Sequence, residues 1–170
     1  QNNNWNFSDH TPSTVYWGRA TGYAVDGEYS LYGPDVSTTS DISVLMASPV
    51  NIPADGSTYL YFDHAFGFEA GEIDYKYYAF DGGIIEYRID NGPWQDANSL
   101  KNKGQGYKGI ISNYPNTTNP LAGRMAFIGD SHGYVSSRYR LDTDASRGHN
   151  IQFRWRVGTD EWIGNVGWVI

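Results

Sequence analysis

The stretch Ile151-Gln-Phe-Arg-Trp-Arg-Val157 decides the fold class. Apolar and polar residues alternate without a break, a period of two that belongs to a half-buried strand. Ile151, Phe153, Trp155 and Val157 therefore turn to a core, and Gln152, Arg154 and Arg156 form a polar face. The same reading applies to Tyr59-Leu-Tyr-Phe-Asp-His-Ala-Phe-Gly-Phe68. There Leu60, Phe62, His64, Phe66 and Phe68 share one face, which buries His64 among aromatic rings, and Tyr59, Tyr61 and Asp63 share the other. Outward from these two strands, short runs of similar character recur at 15–20, 29–32, 43–47, 74–79, 84–90, 109–112, 125–128, 134–141 and 166–170. Turn residues separate them, as at Asp26-Gly27, Asp81-Gly82-Gly83, Asn91-Gly92-Pro93 and Asn119-Pro120. Residues 98–106 read as a polar loop. Residues 1–14 read as an irregular lead-in whose Trp5 and Phe7 tuck against the body. The pattern predicts an all-β, two-sheet antiparallel β-sandwich of jelly-roll type, forming one domain over residues 1–170.

Composition agrees and narrows the function classes. The chain has 170 residues, with 14 Tyr, 6 Trp and 20 Gly, and 19 acidic against 12 basic residues for a net charge of −7. The aromatic and glycine content favours strands and turns over helices. With no cysteine there is no thiol nucleophile, Cys-zinc site or disulfide framework. The acidic balance and the absence of a Lys/Arg run argue against a nucleic-acid partner, because phosphate contacts need a clustered basic face. No stretch nears the roughly 20 apolar residues of a membrane-inserted helix. The sequence stops at Gly167-Trp-Val-Ile170 in mid-strand, which predicts a module cut from a longer chain whose other domains are its neighbours.

No catalytic motif stands out. Asp130-Ser131-His132 has the residue types of a hydrolytic triad, but adjacent side chains point apart and a triad is defined by convergence in space. The best carboxylate pair for a β-sandwich glycan hydrolase is Glu86 with Asp63. Glu86, however, shares its strand face with Arg88 and can oppose Arg154 and Arg156, which predicts cross-strand ion pairing. Arg124 is expected to join Glu86, since a guanidinium fork suits a fixed carboxylate. The sequence thus predicts a protein that is not an enzyme. Oxygen-rich turns at Asp26-Gly27-Glu28 and Asp160-Glu161 are either solvated or hold a hard cation. Tyr75, Tyr77, Tyr78, Tyr107 and Trp162, in polar turn-rich segments with Trp17 and Trp94, are the candidates for stacking on a ligand. Phe62, Tyr87, Phe127, Phe153, Trp155 and Trp168 are expected in the core, with Tyr75, Tyr77 and Tyr107 more exposed.

From Asp81 onward the motif order becomes more specific: Asp81-Gly-Gly-Ile-Ile-Glu-Tyr-Arg-Ile-Asp90-Asn-Gly-Pro-Trp94, then Asn119-Pro-Leu-Ala-Gly-Arg124, then Ile151 to Asp160, then Gly167-Trp-Val-Ile170. Over roughly residues 43–170 this resembles the MAM-like jelly-roll modules appended to secreted bacterial proteins, such as immune inhibitor A-type metalloproteases, and more distantly the sub-repeats of reelin. Arg88 stands where that family has Ser, and Asn91-Gly-Pro shortens its hairpin. The resemblance implies a secreted, extracellular, non-catalytic sandwich, commonly stabilised by calcium, that serves adhesion, targeting or domain architecture. The expectation is an accessory module that takes a glycan on exposed aromatics, with structural calcium at Asp26, Glu28 and Asp160. An extracellular protein ligand, or a structural role without sugar affinity, is the alternative, and a glycan-active hydrolase is the third.

Overall fold

A computed structural model describes residues 4–114 and 116–170. In chain order the strands are β1 (Trp5–Asp9), β2 (Gly18–Thr21), β3 (Tyr29–Gly33), β4 (Ser40–Met46), β5 (Val50–Asn51), β6 (Tyr59–Gly67), β7 (Ala70–Ile73) and β8 (Lys76–Ala79). Then follow β9 (Gly82–Ile89), β10 (Gln95–Asp96), a 3-10 turn (Ala97–Leu100), β11 (Lys101–Gly104), β12 (Gly109–Ile110), β13 (Met125–Ala126), β14 (Val135–Arg140), β15 (Asn150–Thr159) and β16 (Gly167–Val169). The protein is an all-β antiparallel sandwich. One sheet runs β1-β4-β15-β9-β10, with β5 also on β15, and the other runs β11-β14-β6-β16-β3-β2. Two small hairpins, β7-β8 and β12-β13, decorate them.

The alternation that selected the fold also fills it. Phe153, Trp155 and Val157 of β15 meet Phe66 of β6, Tyr139 of β14 and Trp168 of β16 in a single core. His64 is fully buried there. Gly33 and Gly83 are small because indoles lie on them: a Cβ would sit 2.4 Å from the Trp17 ring and 2.5 Å from the Trp168 ring respectively. The expected core aromatics are all at least half-buried, Phe62 at the margin and Phe127, Phe153, Trp155 and Trp168 well inside.

The two sheets differ on their outer faces. Ile84 of β9 points away from the main core into a second one with Ile111, Leu121, Ala126 and Ile128, so the segment around β12 and β13 roofs the first sheet. Beside it Glu86 is caged by arginines: Arg124 Nη1 lies 2.7 Å from Oε1, and Arg154 Nη2 and Arg156 Nη1 lie 2.6 and 3.1 Å from Oε2. Arg156 also pairs with Asp41, and Arg124 with Asp96. Among the described residues the outer face of the second sheet has no such roof, and Tyr59 and Tyr61 are exposed on it.

Three expectations are corrected. Residues 5–9 form an edge strand on β4, although Trp5 does pack edge-on against Trp155 as expected. Residues 101–104 form β11, paired with β14. Trp17 is a core residue, 2% exposed.

Candidate cation site and binding face

Four carboxylates gather where strand ends meet: Asp35 just after β3, Glu69 between β6 and β7, Asp81 at the start of β9 and Asp160 at the end of β15. Ligand atoms of Glu69, Asp81 and Asp160 all lie within 4.8 Å of one another. Asp35, Asp81 and Asp160 are 5%, 0% and 2% exposed, and Glu69 forms the half-buried rim. Backbone donors hold the set in place. Asp160 N–H donates to Asp81 Oδ1 at 2.8 Å, Glu69 N–H to Asp35 Oδ2 at 2.9 Å, and Trp162 N–H to Asp160 Oδ1 at 2.9 Å.

Positive charge is missing. Among the described residues no Lys, Arg or His forms an ion pair with any of the four. Asp35 Oδ1 and Asp81 Oδ2 are buried with no hydrogen-bond partner. Burial pushes all four carboxyls above their ordinary range, and burial together with the adjacent Asp35 pushes Asp81 up to about 10. Such a group resists carrying its full negative charge alone, whereas an oxygen-seeking divalent cation would neutralise it and occupy the two unpartnered oxygens. The donor set, all oxygen, fits calcium. Glu69 and Asp160 also line a pocket of about 400 Å³ with Tyr114 and Trp162. Glu69, at the rim, is the more open of the two, and Asp160 is 2% exposed.

The second sheet offers a different kind of surface. A cleft of about 390 Å³ opens over Ala65 and Gly67 of β6 between the rings of Tyr23, Tyr32 and Tyr134. Hydrogen bonds fix the walls: the Tyr134 hydroxyl donates to the Tyr23 carbonyl, and the Tyr32 hydroxyl donates to the Val166 carbonyl at 2.8 Å. Asp130 and Ser131 supply polar groups at the edge. Volume, apolar walls and a few polar groups are the attributes of a small-ligand site.

Comparison with known families, curated proteins and solved structures finds no match.

The residues singled out from sequence are scattered over this frame. Asp160 lies in the carboxylate cluster, but its companions are Asp35, Glu69 and Asp81. Asp26 and Glu28 are exposed on the turn before β3, where Asp26 Oδ1 accepts only the N–H of Gly27. Trp162 is 70% exposed beside Asp160. Tyr75 projects fully from the β7-β8 turn, Tyr77 is exposed, and Tyr78 packs against Tyr114 in a tilted pair, 4.6 Å between ring centres. Tyr107 is no surface aromatic: its hydroxyl donates to the Ile85 carbonyl and accepts from the Ile85 N–H, and its ring meets Phe127 edge-on. Trp94 lies under the guanidinium groups of Arg88 and Arg154. Sequence reasoning missed Tyr23, Tyr32 and Tyr134, because they come from the β2-β3 loop, β3 and the residue before β14, which the pairing of β3, β16, β6 and β14 brings together, and not from any spacing along the chain.

Proposed function

We propose that the protein is a non-catalytic, extracellular binding module of the MAM-like kind, which takes a carbohydrate chain on the outer face of its second sheet. The observation that carries this reading is the three-tyrosine cleft of Tyr23, Tyr32 and Tyr134. The Tyr32 and Tyr134 rings, held through their hydroxyls, present apolar faces to sugar rings at little ordering cost, and the Asp130 carboxylate at the edge can accept from sugar hydroxyls. Calcium held by Asp35, Glu69, Asp81 and Asp160 pins the strand ends together and leaves the tyrosine cleft free.

Affinity electrophoresis through gels containing soluble polysaccharides tests the reading. At least one neutral or acidic glycan should retard the native protein, and Tyr23→Ala with Tyr134→Ala should abolish the retardation while the melting curve stays cooperative. If folded protein migrates unretarded in every gel, the module is a structural or protein-docking spacer.

A further inference from the structure

The chain carries a net charge of −7, yet two of its cations without an ion pair among the described residues stand side by side on the surface. Most of its arginines are tied to carboxylates: Arg124, Arg154 and Arg156 around Glu86, and Arg140 and Arg147 on Asp142. Lys103 and Arg138 form no ion pair among the described residues, and they are direct cross-strand partners on β11 and β14. Arg138 is in turn the partner of Tyr61 on β6. Three neighbouring strands therefore place Lys103, Arg138 and Tyr61 in one row on the open face, around a concavity of about 270 Å³.

Arg138 is prepared for a ligand in a way that a solvated surface arginine is not. Its Nε and Nη2 donate to Asn102 Oδ1 at 3.1 and 2.7 Å, and its guanidinium lies 4.7 Å from the centre of the Tyr59 ring. A neutral amide orients the fork without cancelling its charge, and Nη1 is left without a partner among the described residues. The Tyr61 and Ser136 hydroxyls likewise orient the nearby acid, Asp63, without cancelling its charge, so that Lys103 and Arg138 outnumber it two to one, and the nearby Arg140 is bound to Asp142. Gly104 keeps the strands close: it has φ +77°, and a Cβ there would lie 2.1 Å from the Ser136 carbonyl oxygen. An oriented, desolvation-tolerant guanidinium beside an ammonium is an arrangement for a carboxylate or sulfate. From Ala65 under the tyrosine cleft to Tyr61 is four residues of one strand, about 13 Å, so one chain of sugars can touch both.

We propose that Lys103, Arg138 and Tyr61 form an anion-reading subsite, and that the ligand of this face is an acidic polysaccharide bearing uronate carboxylates or sulfate esters. The proposal rests on the carbohydrate reading above and adds the class of sugar.

The test is the affinity of intact protein for dextran, dextran sulfate, polygalacturonate and poly-glutamate at low salt. One or both acidic polysaccharides should bind better than dextran, and which of the two does so separates sulfate from carboxylate recognition. Arg138→Gln and Lys103→Gln should each weaken that binding by about tenfold, the loss of a charge-assisted hydrogen bond. Lys76→Gln, an equal change of net charge on the distant β7-β8 hairpin, should change it less than about twofold. Equal binding of dextran and the acidic polymers, or insensitivity to Arg138→Gln in folded protein, overturns the subsite and leaves the carbohydrate reading intact. Equal binding of poly-glutamate overturns the sugar class, and binding of no polymer overturns both.

Discussion

At His64 both ring nitrogens are committed. Nδ1 accepts the indole N–H of Trp168 at 3.0 Å, and Nε2 donates to Ser137 Oγ, 2.8 Å away, which itself donates to the Gln105 carbonyl. The neutral ring satisfies everything around it, and protonating Nδ1 would break the bond to Trp168 in the middle of the core. Burial accordingly lowers the pKa of His64 to about 4. Below pH 6.5 the unfolded chain takes up a proton here that the folded chain refuses until about pH 4, so the native state loses stability as pH falls through that window, by roughly 3 kcal/mol from this group. An NMR titration of the His64 ring checks it; a midpoint near 6.5 would mean the core admits water. The burial of His64 was legible from strand alternation alone. The burial of Tyr107 was not, because it sits in a glycine-rich segment without periodicity and its partner, the Ile85 backbone, is 22 residues away.

The same division holds for whole elements. β6 and β15 are legible because a buried face imposes a period of two, whereas β11, Lys-Asn-Lys-Gly, buries nothing and is a strand only because β14 offers it a backbone ladder. Lysines suit that position, since they discourage further pairing at a sheet edge. Glu86 shows an element-scale prediction that did come from sequence. Burial alone would raise its pKa, but the Arg124 hydrogen bond and the Arg156, Arg154 and Arg124 charges outweigh burial and hold it below the usual range. The carboxylate links β9, β15 and the roof segment that carries Arg124. Glu86→Gln leaves Arg154 without a carboxylate, while Arg156 and Arg124 keep only Asp41 and Asp96, and should cost about 3 kcal/mol in urea unfolding. Asp63→Asn, on the open face of the other sheet, should cost under about 0.5 kcal/mol. Equal costs for the two would mean that solvent already screens the Glu86 network.

The molecule as a whole is a sandwich whose strand alternation fixes the interior but leaves one end unexplained by packing, namely the end where Asp35, Glu69, Asp81 and Asp160 converge. These four come from positions 125 residues apart along the chain, which is why the sequence pointed to Asp160 but attached it to Asp26 and Glu28, two acids that are merely close to each other. The two sheets meet at this cluster, since Asp35 follows β3 of the second sheet and Asp160 ends β15 of the first. A cation bound there ties the sheets together in the folded state and finds no such site in the unfolded chain. At a hundredfold over its dissociation constant calcium should therefore add about 2.7 kcal/mol of stability. For a chain of this size that corresponds to a rise in melting temperature of roughly 5–10 °C. Melting curves with excess calcium and with chelator provide the measurement, and Asp81→Asn should remove the difference between them because it takes away the most deeply buried ligand. Magnesium should substitute poorly, since it demands a tight octahedron and keeps its waters, whereas these carboxylates are set by backbone hydrogen bonds and three of the four are buried. Superimposable curves with calcium and with chelator would leave protons as the counter-charge of the cluster, with Asp35 and Asp81 sharing one, and would remove the metal from this end of the fold.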